Sequence, residues 1–357
     1  MPAQEIDEQL ETISASKADA DQAKSSKPDL LIVPIPQSSP TLGSGLTLTA
    51  ALFYNPNGSK EPWVTGAGIM KTSNGSMVIG ALHKMTLGQD RFRVGVFGGY
   101  GDVNIRFYGT GAVAGSRDRS VELNERGVLG SLHGQMRVAG GLYAGARVVH
   151  LNLKTSINRD NSEFPDNEIP TREFRSSLTK VGPVITYDSR DSSLYPRKGE
   201  TGDLVWLFGV KSLGSDFTHN KMTLDANIYR PLTKTTVIAG RAALCAVSSG
   251  APFYDLCLYG SSSDLRGYES GRFRDRASWA TQLEVRQKLF GRFGAVAFAG
   301  LGGSAPKWSD IGDGKFLPAA GLGLRYQPSR DTPINLRVDY AWGRDSQALY
   351  VGVGEAF

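Results

Sequence analysis

The residues of this 357-residue chain whose types suit chemistry are four histidines, two cysteines and two acidic clusters. His83, His133, His150 and His219 share no ligand spacing and fall on separate predicted strands or a rim, so they read as wall residues rather than a metal centre. Cys245 and Cys257 are too few for a zinc ribbon or a disulfide scaffold. Asp160-Asn161-Ser162-Glu163, with Asp166 and Glu168, offers the oxygen ligands a calcium ion takes, but a solvated loop is the simpler reading. Asp188, Arg190 and Asp191 could form an acid–base cluster, yet a salt-bridged turn that pins strand register explains them better. No Gly-x-Ser-x-Gly elbow, phosphate loop or His-Glu-x-x-His occurs. No enzyme, metal or cofactor is expected.

The elements that must carry these residues are extended. Glycine supplies 43 residues, about 12% of the chain against a usual ~7%. No segment approaches the ~18 apolar residues of a spanning helix, and the longest apolar run, Leu30 to Ile35, already contains Pro34. The 33 aromatics (Trp 5, Tyr 13, Phe 15), with abundant Val, Leu and Ile, exclude extended disorder. The net charge of +5 comes from 40 basic and 35 acidic residues without a basic tract, so nucleic acid is not an expected partner. Met1-Pro2-Ala3-Gln4-Glu5 has neither the basic nor the apolar region of a signal peptide.

Residues 1–28 form one unit, expected to be a periplasmic tail. Ile6, Leu10 and Ile13 fall on one face of a short helix, and Ser14 to Lys27 reads as a polar linker. A frayed tail and a helix that docks on the next domain both fit. From Asp29 the period becomes two. Leu283, Val285 and Leu289 alternate with Gln282, Glu284, Arg286 and Lys288, and Leu336, Val338, Tyr340 and Trp342 alternate with Arg337, Asp339, Ala341 and Gly343. A soluble barrel turns its greasy face inward; a membrane barrel turns it to lipid and keeps a polar, glycine-rich lumen. The spacing predicts strands at 29–35, 45–54, 63–70, 76–86, 91–107, 121–138, 141–153 and 174–187. Eight more follow at 201–211, 217–230, 234–246, 276–290, 293–302, 316–326, 332–342 and 348–357. The fold class is therefore all-β: a 16-stranded antiparallel transmembrane barrel spanning 29–357. Tight turns at 88–90, 139–140, 231–233 and 291–292 lie on one rim. Long loops at 108–120, 154–173, 247–275 and 303–315 lie on the other. Pro34 and Pro36 cannot donate ladder hydrogen bonds, so a seam between the first strand and the last, ending at the rim aromatic Phe357, is expected to be weak.

Several segments in order resemble the BamA/TamA-type outer-membrane assembly superfamily, also called bacterial surface antigens. They are Leu265-Arg266-Gly267-Tyr268 in loop 247–275, Tyr187-Asp188-Ser189-Arg190-Asp191 with Tyr195-Pro196-Arg197-Lys198-Gly199, and Gly321 to Tyr326 with Leu336 to Ala341 and Phe357. They cover roughly 180–357; Val33-Pro34-Ile35-Pro36 and Asp90-Arg91-Phe92-Arg93 extend the likeness to short members over 29–110. The resemblance implies that the sixth outer loop folds into the lumen, where Arg266 needs an anion, Gly267 permits close approach to the wall and Tyr268 packs beside it. Glu284 on the twelfth strand is the expected anchor. The family's usual Asp on the next strand is here Gly300, which implies a single anchor. If that loop re-enters, Cys257 nears Cys245, leaving a disulfide worth about 3 kcal/mol or two unpaired small hydrophobes.

Only 28 residues precede the first strand, so no POTRA module of about 75 residues is expected, and the chain is similar to a stand-alone barrel of the superfamily. The function implied is membrane-protein insertion or polypeptide translocation in the bacterial outer membrane, with both termini periplasmic. The partners implied are outer-membrane lipid including lipopolysaccharide, a client polypeptide, or a separately encoded periplasmic protein. A passive pore or structural barrel is the alternative, and an outer-membrane hydrolase a weaker one.

Overall fold

Alternation of lipid-facing and inward side chains builds one closed antiparallel barrel of sixteen strands. The computed structural model describes residues 28–57, 62–117, 119–158, 174–193, 195–260, 264–312, 314–328 and 335–357. The helix or tail expected at 1–27 and the acidic loop at 160–168 lie outside the described residues.

In chain order the strands are β1 (Asp29–Ser39), β2 (Gly43–Tyr54), β3 (Trp63–Thr72), β4 (Met77–Leu87) and β5 (Phe92–Phe107). A short helix, α1 (Ala112–Ser116), precedes β6 (Val121–Ala139), β7 (Leu142–Asn158), β8 (Arg175–Asp188) and β9 (Gly199–Gly209). Then come β10 (Asn220–Pro231) and β11 (Thr236–Val247). The sixth loop of the long-loop rim carries a two-stranded hairpin, β12 (Cys257–Tyr259) with β13 (Phe273–Asp275), which is not part of the barrel. The wall resumes with β14 (Ala277–Lys288), β15 (Phe293–Ala305), β16 (Lys315–Tyr326), β17 (Leu336–Gly343) and β18 (Ser346–Val353).

The pleat sorts residues by parity. On β14, Leu283 and Val285 are exposed while Gln282, Glu284 and Arg286 are buried in the lumen. On β17, Val338, Tyr340 and Trp342 face out and Asp339 and Ala341 face in. The lumen is not polar throughout: Phe53, Val64, Met70, Val78, Leu82 and Phe97 form an apolar inner cluster on β2 to β5. That departs from the polar lumen expected from β14 and β17, where the alternation is cleanest.

Three further expectations change. First, β1 runs to Ser39 despite its prolines, in register with β2 from Asp29↔Phe53 to Ser39↔Gly43. Second, the rims are less asymmetric than the sequence implies: connections 40–42, 73–76 and 344–345 on the long-loop rim, near the seam, are short, while 189–198 on the tight-turn rim is long. Third, β18 stops at Val353. Gly354 takes φ +83°, outside the strand region, and donates its N–H to the Asn335 carbonyl at 2.7 Å, turning the last residues inward.

The seam is the weak joint. Among the described residues β1 and β18 share one registered pair, Ser38↔Val351, whereas β8 and β9, the next shortest ladder of the barrel wall, share seven, from Lys180↔Gly209 to Asp188↔Thr201. Pro34 and Pro36 have the same parity, so their missing N–H groups fall on the same edge of β1. The ladder with β2 is complete, which leaves the β18 edge as the one deprived of donors.

Candidate functional site: a loop locked inside the barrel

Loop 248–276 turns into the lumen because it carries its own fastenings. Cys245, at the end of β11, and Cys257, in the hairpin, are joined by a disulfide. Beyond the hairpin the chain reaches Leu265-Arg266-Gly267-Tyr268, whose first two and last side chains are wholly buried.

Arg266 sits at the centre of an ion network. Its guanidinium binds Glu284 on β14 and, through Nη1, Asp339 on β17 at 2.5 Å. Its face lies 3.5 Å from the centroid of the Phe298 ring on β15. Arg286 binds the other oxygen of Glu284 at 2.7 Å, and Arg325 binds Asp339. A buried carboxylate would lose much of its solvation without such partners, so each cation is held by at least one acid. The single anchor expected from the sequence is therefore corrected to two, Glu284 and Asp339. Gly300 is where it is for a steric reason: a Cβ there would strike the Leu265 side chain and the Thr281 carbonyl. A side chain at that position would collide with the docked loop, and the second carboxylate comes from β17 instead.

Gly267 and Tyr268 fix the tip. Gly267 has φ +121°, and a Cβ would lie 3.1 Å from the backbone nitrogen of Gly343. Its N–H donates to the Tyr350 hydroxyl at 3.0 Å. The Tyr268 hydroxyl donates to the Pro318 carbonyl at 2.5 Å and accepts from the Arg344 N–H at 2.9 Å. Its ring packs edge-on against Tyr259 and Phe273, 5.4 and 5.8 Å between centroids.

The rest of the loop is held from other walls. Lys180 on β8 donates to both oxygens of Asp255 at 2.7 Å, and His219, just before β10, binds the same carboxylate at 2.5 Å. Glu269 accepts from Arg106 at 3.0 Å and from the Tyr108 hydroxyl at 2.8 Å. Burial raises the Glu269 carboxyl above its usual range, and the Arg106 and Tyr108 contacts offset this only in part. From α1, the Gly115 carbonyl accepts from Arg272 at 3.0 Å.

A barrel of sixteen strands with this fastened inner loop can be compared with known proteins. A family model described as the Omp85 superfamily domain matches residues 42–357. The chain belongs to the Omp85 superfamily. Its fold is similar to that of BamA from Haemophilus ducreyi lacking POTRA domains 1–3: TM-score 0.61, 16% identity, 92% of this chain and 70% of that one. CdiB from Acinetobacter baumannii matches with TM-score 0.62, 11% identity, and 94% and 66% coverage. CdiB from Escherichia coli gives 0.63, 11%, 94% and 69%. The chain is thus an Omp85-type barrel of the bacterial outer membrane.

The other motif of this Omp85 barrel is the turn between β8 and β9. Arg190 donates to Asp188 at 2.7 Å. Asp191 accepts from the backbone N–H groups of Arg197 and Lys198 at 2.9 and 3.1 Å. Pro196 is buried, and Gly199 has φ +109°, where a Cβ would meet the Ser189 carbonyl. These residues close the rim turn between β8 and β9. The seam residues Pro34 and Pro36 face outward on β1.

Phe357 requires a correction, because it lies beyond the strand and not in the seam. The inward turn at Gly354 carries Glu355 to Arg325 (2.8 Å) and Asn335 (2.7 Å). The main-chain oxygen of Phe357 accepts from Arg286 at 2.7 Å, and the same guanidinium lies 5.4 Å from its ring centroid. Buried arginines draw the tail across the mouth. Sequence reasoning missed Asp339 as an anchor although its lumen parity was legible. Glu355, Tyr350 and the Lys180–Asp255–His219 group gave no such signal, because each meets partners far away in the sequence.

Proposed function

We propose that this Omp85 barrel inserts or passes polypeptide at the seam between β1 and β18, with the docked loop as a fixed inner wall. The single registered pair at that seam carries the reading. Backbone groups left unpaired there offer an incoming strand a template for augmentation. The loop is held by side chains instead: Arg266 to Glu284 on β14 and Asp339 on β17, and the Gly267 N–H to Tyr350 on β18. The termini and the tight-turn rim face the periplasm in this reading, where a client polypeptide or a separately encoded partner would arrive. Outer-membrane lipid, lipopolysaccharide included, surrounds the wall, and no nucleic acid or cofactor takes part. A lumen filled by the loop supports this over an open passive pore.

The test is a seam that can be locked. Ser38 and Val351 are the registered pair across the seam, and Ser38→Cys with Val351→Cys should cross-link under oxidation. In vesicles carrying the barrel, an unfolded outer-membrane barrel client should gain protease protection faster than in empty vesicles. Locking the seam should abolish the gain and reduction restore it. Equal rates with the seam locked and free would remove the proposal.

A further inference from the structure

The lipid-facing surface of β6, β7 and β8 carries a feature that neither the docked loop nor the seam uses. Register sets four charged residues in one row: Asp102↔Arg126, Arg126↔Lys154 and Lys154↔Arg175. The three basic residues are exposed and share the outward parity of Val128 and Ile185. Strands about 4.8 Å apart bring their Cα atoms within about 10 Å. Arg126 is bridged to Asp102 at 3.0 Å. Among the described residues, Lys154 and Arg175 make no ion pair or side-chain hydrogen bond. Two further acids neighbour the row without pairing with them. Glu122 stands two outward positions beyond Arg126, and Asp216 accepts from the Ser177 N–H at 2.6 Å. Position along the wall says what meets the row. On β6 the exposed outward apolar side chains run from Val138 through Met136 and Leu132 to Val128. At about 3.3 Å per residue and a tilt near 40°, that stretch rises about 25 Å, the height of a barrel's apolar band. Arg126 is the next outward position, about 5 Å beyond the band and level with lipid headgroups. Below Lys154 and Arg175 two rows are polar, Asn152 with Ser177 and His150 with Thr179, before Val148 and Val181 resume the apolar face.

We infer that Arg126, Lys154 and Arg175 form a binding site for the phosphorylated sugar headgroup of an outer-leaflet glycolipid, the class to which lipopolysaccharide belongs. Phosphates meet the row, where arginine forks and a lysine point charge suit their oxygens. Sugar hydroxyls meet the polar rows at Asn152, Ser177 and His150, and acyl chains run down over Leu132, Val148 and Val181. A glycerophospholipid lacks the sugars that two polar rows engage, which selects the glycolipid. Lipid in general surrounds any such wall; the row fixes one molecule at one place on it. The inference rests on the reading that the long-loop rim lies outside the cell, and not on passage of polypeptide through the seam.

The probe is bisphosphorylated lipid A, titrated into the refolded full chain in detergent and counted as bound lipid by native mass spectrometry, with phosphatidylglycerol as the second arm. Lipid A should bind about tenfold or more tighter than phosphatidylglycerol and weaken as ammonium acetate rises. Lys154→Gln with Arg175→Gln should lower lipid A affinity about tenfold or more, and Lys154→Arg with Arg175→Lys should keep it within about threefold. Lys71→Gln, at an exposed cation on β3, should change nothing. Heat-modifiable gel migration shows that each variant is folded. Equal binding of the two lipids, an equal loss in Lys71→Gln, or no loss in Lys154→Gln with Arg175→Gln overturns the inference. Asp160→Asn, Glu163→Gln, Asp166→Asn and Glu168→Gln, between β7 and β8, should together leave affinity within about threefold. A gain of about tenfold would make those acids the partners of the row and overturn the inference. Membrane-impermeant maleimide applied to Lys154→Cys in intact cells tests the orientation by itself. Labelling places the row outside, so that a failed titration then counts against the lipid site alone; absence of labelling overturns the outer-leaflet occupant whatever the titration gives.

Discussion

The wall beneath the docked loop and the seam opposite in the chain's order are built from the same kind of strand, yet they are held in different ways. Between β14 and β15 the ladder is continuous from Ala277↔Ala305 to Lys288↔Gly294, and the lumen side adds Arg266, Glu284 and Arg286. Between β1 and β18 a single registered pair remains, and Pro34 and Pro36 withhold donors. The difference teaches that closure of a barrel and rigidity of a barrel are separate properties. Side-chain fastening makes one sector stiff, and omission of backbone bonds leaves another ready to open.

The strongest way to break this contrast is to remove the centre of the stiff sector. Arg266→Ala leaves Glu284 and Asp339 buried with one cation fewer, a loss of about 3–5 kcal/mol. Denaturant unfolding should show that loss, residues 260–275 should become protease-sensitive, and planar-bilayer conductance should rise. Unaltered proteolysis and conductance would mean that the ion network is not what holds the loop. Next in size is the Cys245–Cys257 bond, whose closed loop is worth about 3 kcal/mol in the chain-entropy account. Replacing both cysteines by serine should lower the unfolding midpoint and loosen the loop while circular dichroism still reports an intact barrel.

The seam can be pushed in the opposite direction. Pro34→Ala with Pro36→Ala restores two donors, each worth about 1 kcal/mol if it pairs. The two new amides should be protected in hydrogen exchange; rapid exchange would show that β18 offers them no acceptor. The smallest effect concerns Asp90, in the turn after β4. Burial pushes its carboxyl up, but hydrogen bonds from Arg93 and Tyr143 and the charges of Arg93 and Arg137 outweigh that and hold it below its ordinary 3.8. A depressed folded value means that this stabilisation is complete above about pH 3.8 and is lost as pH falls through the folded value. Asp90→Asn should flatten the stability profile in that acid window, and a profile unchanged by the substitution would deny the turn this role.

Much of the stiff sector was legible in the sequence because its information is local. Alternation on β14 and β17 assigned Glu284 and Asp339 to the lumen, and two-residue periodicity gave the sixteen strands. The partners of those residues were not legible. Arg266 meets Asp339 across 73 positions and Arg286 meets Phe357 across 71, distances that no periodicity encodes. The end of β18 was misplaced because Val-Gly-Val-Gly-Glu-Ala-Phe continues to alternate. The contacts of Glu355 with Arg325 and Asn335 and of Phe357 with Arg286 show why the chain leaves the ladder at Gly354.

That early departure shapes the membrane as well as the protein. β17 and β18 have 8 residues each, against 19 in β6. At about 3.3 Å per residue and a tilt near 40°, an eight-residue strand gives a wall about 20 Å high. The hydrocarbon layer it must match is about 25–30 Å thick. Lipid beside these strands has to compress or tilt to meet the wall, a hydrophobic mismatch concentrated at one edge of the molecule. The bilayer is therefore thinnest where the barrel is least bonded.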